Sequence, residues 1–269
     1  MQLTSLDQIT SQYRHIYFQP HFDDAALSCG GAIALQVATG QQVLLVTVFG
    51  GIPAAGSERS SFAAQTQQQM GLSVESGEAV RRRRAEDAAA AEILGVNVLW
   101  LDYLDATYRG SPAFYQSEEA LFGPVNVGDL SLDEDLAGVF MITHERAPLA
   151  TLYAPLGIGH HVDHQLCCSA ADRLAQRKLN VKFYEDFPYV ARSTTALENR
   201  QHELSLQMEP ELVEISGVSD RKEEAITQYT SQVPTLFGNR ERLHQMLAGY
   251  SSSLRRAYPG IQVERYWRW

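Results

Sequence analysis

The chain has 269 residues, 45% of them hydrophobic, and a formal net charge of -10. That length suits one large domain or two small ones, and the acidic balance excludes a general nucleic-acid binder, which needs a basic surface to neutralise phosphates. No apolar run approaches the roughly 20 residues of a membrane span, and no basic segment followed by an apolar stretch and a cleavage site opens the chain.

A small-molecule partner and a cytoplasmic location are therefore expected, with self-association left open. Cys29, Cys167 and Cys168 cannot all pair, and two of them are adjacent. They suit small buried side chains in a reducing compartment.

Arg14 to Phe18, aromatic and β-branched, predicts a buried strand that runs into a loop at Pro20. Apolar residues at helical spacing predict a helix from Ala25 to Ala38, stopped by Gly40. Val43 to Phe49 is almost continuously apolar, as in a strand covered on both faces. This βαβ opening predicts a parallel sheet. The Gly-, Ser- and Gln-rich stretch from Gly50 to Gly77 reads as a long excursion with one helix near Ser61 to Met70. Ser76 is placed to cap a helix from Gly77 to Leu94, ended by Gly95.

A third strand, Val96 to Leu101, precedes an irregular stretch. The helix Leu132 to Glu145 then leads to the strand Ala150 to Ala154, the helix Asp163 to Lys178 and the strand Val181 to Tyr184. The fold class expected is α/β, a Rossmann-like three-layer sandwich with a mostly parallel sheet. A single domain is expected, with its core at about 14–190 and a C-terminal extension at about 191–269 that acts as a cap or subdomain.

Two short clusters carry chemistry: Pro20-His21-Phe22-Asp23-Asp24 and Gly159-His160-His161-Val162-Asp163-His164. Each follows a predicted strand and precedes a predicted helix. The carboxyl ends of parallel strands form the ligand crevice of such sheets, so the clusters can converge. A hydrolytic metal needs about three nitrogen or oxygen ligands, an open position and a nearby carboxylate. His21 and Asp24, three apart at a tight turn, can reach one ion, and His164 completes the set. Asp23 projects differently and is the natural general base. A protonated His161 would stabilise an oxyanion, and Asp163 would orient an imidazole. The plainer alternative is that each histidine only packs or caps, and His15, His144, His160, His202 and His244 are read that way.

Cys29-Gly30-Gly31 lies inside the first predicted helix, so its glycines are read as helix packing and not as a phosphate loop. Arg81 to Arg84 reads as a solvated helix face, except that Arg83 shares a stripe with Ala79, Glu86 and Ala90. Arg83 paired with Glu86 could hold a substrate hydroxyl or simply stabilise the helix. Asp105, after the third strand, could accept bonds from sugar hydroxyls or cap its loop. Acidic and aromatic residues of Tyr184 to Tyr189 could line the same crevice.

The two clusters together resemble the Pro-His-Pro-Asp-Asp and His-x-Asp-His motifs of PIG-L/LmbE-like zinc-dependent deacetylases. The similarity extends through Arg83-Arg84-Ala85-Glu86 to Asp105. The resemblance implies a Rossmann-like fold and removal of an N-acetyl group from a glucosamine-type sugar. It implies zinc, or alternatively ferrous iron, held by His21, Asp24 and His164, with Asp23 as base, His161 beside the oxyanion, and Arg83 and Asp105 as sugar contacts. Competing readings are an amidase acting on a larger sugar-conjugate amide and a catalytically silent carbohydrate-binding relative. Phe22 and Ala25 depart from the family's usual proline and glutamate. Where some relatives carry a tyrosine before the second motif, this chain has Gly159 and His160, leaving Tyr184 or Tyr189 to supply one.

Overall fold

The computed structural model describes residues 1–54, 60–72, 77–254 and 260–269. Its elements are β1 (Gln2–Leu3), β2 (Tyr13–Gln19), α1 (Asp24–Ala38), β3 (Gln42–Thr47), α2 (Ser61–Gln69), α3 (Glu78–Leu94) and β4 (Asn97–Trp100). After them come α4 (Glu118–Leu121), α5 (Leu130–Arg146), β5 (Thr151–Pro155), α6 (Val162–Gln176), β6 (Val181–Tyr184) and α7 (Tyr189–Arg192). The chain closes with α8 (Ala196–Leu204), β7 (Glu209–Glu214), α9 (Ser219–Ile226), α10 (Val233–Phe237), α11 (Arg240–Leu254) and β8 (Val263–Arg268).

One eight-stranded sheet runs in the order β1-β4-β3-β2-β5-β6-β8-β7. The first six strands are parallel, and β8 and β7 add antiparallel at one edge. Ile16, Tyr17 and Phe18 of β2 and Leu44, Leu45 and Val46 of β3 are all buried. Consecutive residues of a strand point to opposite faces, so both faces of the central sheet are covered. Helices α1, α3 and α9 pack on one another and α5 packs on α6. Right-handed crossovers place these two groups on opposite sides of the sheet.

The neighbours of β2 are β3 on one side and β5 on the other. The chain therefore reverses its direction of travel at β2, and the carboxyl ends of β2 and β5 open a crevice there. Tyr17 pairs in register with Tyr153, so the loops after these two strands emerge side by side. This brings residues about 140 positions apart into one site.

Gly95, at φ 76°, ends α3 with its N–H on Ala91, the left-handed stop expected of glycine. The N-cap of α3 is Gly77, which has no side chain to cap with, and Ser76 lies outside the described residues. The Gly30-Gly31 pair serves close packing. A Cβ on Gly31 would lie 2.5 Å from Ile215 Cδ1, and one on Gly30 would lie 2.9 Å from Lys222 Cγ. Glu264 of β8 accepts hydrogen bonds from the N–H groups of Gly31 and Ala32 and from Lys222, all at 2.7 to 2.9 Å. The C-terminal region is thus stitched to α1, gives two strands to the sheet and sends α10 to the crevice wall. Cys29, Cys167 and Cys168 are buried free thiols.

Candidate active site

A cavity of about 350 Å3 opens at the crevice and is lined by His21, Asp23, Asp24, Arg83, Asp105, His161 and His164, among others. His21 lies in the turn after β2, Asp23 is the N-cap of α1 and Asp24 its first residue. The turn is fixed by the His21 N–H donating to Asp24 Oδ2 at 2.8 Å, and by the Ala25 N–H donating to Gln19 Oε1. Ala25 is fully buried. Phe22 is also buried, edge-on to Trp100 and 5.4 Å beneath the Arg83 guanidinium.

His161 caps α6, with its Nδ1 accepting from the Asp163 N–H at 3.2 Å. An accepting Nδ1 places the proton of a neutral ring on Nε2. Burial, reinforced by His21, pushes the His161 pKa down to about 3, so the ring is neutral where an imidazolium was expected.

His21 and His164 are arranged differently. His21 Nε2 lies 2.9 Å from Asp163 Oδ2, and His164 Nδ1 lies 2.6 Å from Asp186 Oδ1. Their remaining nitrogens, His21 Nδ1 and His164 Nε2, each sit 3.5 Å from Asp24 Oδ2. Burial pulls the His21 pKa down, but hydrogen bonds to Asp163 and Asp24 outweigh it and raise the value to about 10. Opposing its own burial, Asp24 is held well below the usual carboxylate range by His164 and His21.

This is a pocket whose field calls for a cation. Bonds of about 2.0 to 2.1 Å in a tetrahedral site put donor atoms roughly 3.3 Å apart, close to the spacing seen here. A carboxylate on the far nitrogen of each ligand histidine is the usual support of such a centre. Among the described residues, donor atoms of His21, His161 and His164 lie within 4.8 Å of one another, as do those of His21, Asp105 and Asp163. These two groups suit a divalent metal, and Asp24 belongs to neither of them, although its Oδ2 lies 3.5 Å from a nitrogen of each of His21 and His164.

Asp23 Oδ1 accepts from Arg83 Nη2 at 3.1 Å. Burial raises its pKa, although Arg83 pulls the other way. Arg83 does not pair with Glu86. That carboxylate turns to the C-terminal region and accepts from Ser231 N, Ser231 Oγ and Thr230 Oγ1. Among the described residues, the Arg83 Nε has no hydrogen-bond partner. Asp105 caps its loop through Thr107 and also brings Oδ2 to 3.5 Å from His21 Nε2. The loop-cap reading of Asp105 is thus the one observed, and Asp105 also lines the cavity.

Asp163 is fully buried behind His21. It also accepts from the Ala106 N–H at 3.1 Å, and its Oδ1 is 2.7 Å from Arg109 Nη1. Arg109, itself buried, continues to Asp129 at 2.7 Å and packs 4.9 Å from the Phe49 ring. Sequence reasoning missed Arg109, a lone arginine in an irregular loop with no spacing signal. It placed Asp186 only loosely at the crevice. The position of Asp186 two residues past the end of β6, on the same sheet edge, was the available clue. Tyr189 lines the cavity, whereas the Tyr184 hydroxyl donates to the Phe18 carbonyl inside the core. His160 faces Glu203.

Residues 16–175, more than half of the chain, match the PIG-L family, described as GlcNAc-PI de-N-acetylase. The chain belongs to the PIG-L family. This PIG-L chain is 31% identical over 234 residues to a 2'-N-acetylparomamine deacetylase of Niallia circulans, covering 83% of this chain and 82% of that one. It is 30% identical to a 2'-N-acetylparomamine deacetylase of Streptomyces fradiae over 225 residues, covering 81% and 73%. Among solved structures, the zinc-inhibited form of teicoplanin deacetylase Orf2 superposes with a TM-score of 0.79 at 26% identity, covering 94% of this chain and 97% of that one. These relatives are deacetylases. Among the described residues, no helix of this chain is long and apolar enough to cross a membrane.

Proposed function

We propose that the chain is a divalent-metal-dependent N-deacetylase, an amide hydrolase that removes the acetyl group from an N-acetylglucosamine-type sugar or sugar conjugate. The observation that carries this reading is Asp24 Oδ2 standing 3.5 Å from one nitrogen of His21 and one of His164, while carboxylates hold the other two nitrogens. His21, Asp24 and His164 would hold the ion, and two histidines with one carboxylate suit zinc or ferrous iron. His161, whose donor atoms lie near those of His21 and His164, is kept for the oxyanion because accepting the Asp163 N–H at Nδ1 leaves an Nε2–H to donate. An ion bound there supplies Lewis acidity toward the acetamide carbonyl and brings the pKa of a water to about 7.

The remaining steps belong to the protein. Asp23, anchored through Oδ1 by Arg83, takes a proton from the attacking water and returns it to the departing amine, so that acetate and a free amino sugar leave. His161 donates from Nε2 to the oxygen that gathers negative charge, and does so without carrying charge itself. Asp163 orients His21. Arg83 and Asp105 line the cavity where sugar hydroxyls would sit, and among the described residues the Arg83 Nε–H has no partner. The 2'-N-acetylparomamine named for two relatives supports the substrate class.

The test is acetate release from a panel of N-acetyl amino sugars by protein stripped with a chelator and then reloaded. Activity absent from the stripped protein and restored by zinc or ferrous iron is expected. Equal activity in stripped and reloaded protein would overturn the metal requirement.

A further inference from the structure

Asp23 stands at the N-cap of α1, the position whose side chain ordinarily accepts a hydrogen bond from one of the first N–H groups of the helix. Among the described residues it takes no such bond. Its backbone is helical, at φ -104° and ψ -15°, where a capping residue is typically extended, and its Oδ1 goes to Arg83 instead. The cap comes from another element. Gln19, the last residue of β2 and fully buried, accepts the Ala25 N–H on Oε1 at 3.1 Å. Ala25 is the second residue of α1, so Gln19 takes a donor that an N-cap aspartate would otherwise take. Only one orientation of the Gln19 amide suits its surroundings. Its Nε2 donates to Thr47 Oγ1 at 2.9 Å and to Asp87 Oδ1 at 3.4 Å. Turned over, the amide would set its oxygen against the Asp87 carboxyl and its NH2 group against the Ala25 N–H. Thr47 ends β3, and Asp87 lies on α3, held by Trp100 and Tyr229. Neighbouring elements therefore aim the acceptor at the start of α1.

We propose that Gln19 is a positioning residue for Asp23: by capping α1 from the end of β2, it keeps the Asp23 carboxylate off the helix end and available to the attacking water. The task given to Asp23 rests on the N-deacetylase reading; the substitute cap does not. Without the acceptor on Gln19, the buried Ala25 N–H would lose its partner, and buried backbone donors are seldom left unpaired. Asp23 carries the side chain that the N-cap position would recruit in its place, drawing it away from Arg83. Asp24 is already engaged, since its Oδ2 accepts the His21 N–H at 2.8 Å. Loss of the Gln19 acceptor thus falls on the base before it falls on the metal ligands.

Two substitutions separate this role from a merely structural one. Gln19→Met keeps the side-chain length and removes the acceptor, whereas Gln19→Glu keeps the acceptor. Both are compared with wild type after zinc reloading, below the value of about 7 to which burial pushes Asp87, so that Asp87 has a proton to share with the introduced carboxyl. Gln19→Met should retain zinc, lose kcat by about 10²-fold, as for a reacting group misplaced by roughly 1 Å, and change KM by no more than about threefold. Gln19→Glu should bring kcat back to near the wild-type value. An unchanged kcat in Gln19→Met, a loss of zinc in step with the loss of turnover, or a Gln19→Glu enzyme as slow as Gln19→Met would overturn the inference, and Gln19→Glu decides alone should Gln19→Met not fold. A crystal structure of Gln19→Met needs no turnover. It should show the Asp23 carboxylate on the Ala25 N–H, and an Asp23 still paired with Arg83 would equally count against the substitute cap. Acetate release by the wild type reports on the deacetylase reading separately, so each can fail alone.

Discussion

Asp186 never touches the reacting centre, yet its replacement by asparagine should weaken metal binding. Its Oδ1 sits 2.6 Å from His164 Nδ1, and its Oδ2 accepts from the Ile158 N–H at 2.8 Å. The carboxylate therefore receives two hydrogen bonds from two donors. Asparagine keeps the shape but offers one acceptor and one NH2 group. With its oxygen toward His164, the NH2 group faces the Ile158 N–H, and a buried donor is left unpaired. In the other orientation the NH2 group faces His164 Nδ1, which moves the ring proton to Nε2 and blocks the nitrogen proposed as ligand. An unpaired buried donor costs about 1 to 3 kcal/mol, which corresponds to roughly 5- to 150-fold. This range brackets the roughly 10- to 100-fold typical of residues that support metal ligands. Zinc affinity of Asp186→Asn, measured by competition against a chromophoric chelator, should fall within that range. An affinity within twofold of wild type in a folded protein would refute the argument.

Three further predictions concern the scaffold. Asp87 is fully buried and bonded to Trp100, Tyr229 and Gln19, and burial, against those hydrogen bonds, raises its pKa from 3.8 to about 7. The native state then holds a proton that the unfolded state loses between those values, so stability should fall as pH rises through that window, by roughly 4 kcal/mol at most. Denaturant titrations of Asp87→Asn should lack this decline, and equal pH slopes for variant and wild type would contradict the assignment. Arg109→Met strands Asp163 and Asp129 without their cation and should cost about 3 to 5 kcal/mol, with weaker zinc binding because Asp163 holds His21. A stability loss under about 1 kcal/mol by urea unfolding would count against that role. Gly31→Ala drives a methyl into Ile215 and should destabilise by about 1 to 3 kcal/mol, whereas an unchanged Tm would show that Ile215 can move aside.

The parts of the fold that the sequence revealed are those governed by local pattern. The apolar runs of β2, β3 and β5 announce a parallel sheet because both faces are covered. Gly95 marks the end of α3, since an αL residue is needed there. The cluster residues could be placed at the carboxyl edge before any coordinates, because each follows such a run. Strands β7 and β8 are another matter. Glu-Pro-Glu-Leu-Val-Glu of β7 carries charges suited to the sheet edge, whereas Val-Glu-Arg-Tyr-Trp-Arg of β8 lies between β6 and β7, where pairing with β6 across about 80 residues supplies what local propensity does not. Arg109 was illegible for a related reason. Its partners Asp129 and Asp163 are 20 and 54 positions away, and only the folded chain brings them to one guanidinium. The helical walls of the cavity were equally hidden, because side chains from α2, α4 and α10 meet only through tertiary packing.

The central claim is that Asp24 binds the ion while its neighbour Asp23 moves the proton. The direct measurement is metal content together with acetate release for Asp23→Asn and Asp24→Asn side by side. Asp23→Asn should retain its metal and lose turnover by about 10²- to 10⁴-fold, whereas Asp24→Asn should lose the metal itself. Substantial turnover in Asp23→Asn, or full metal occupancy in Asp24→Asn, would contradict the division of labour between the two carboxylates.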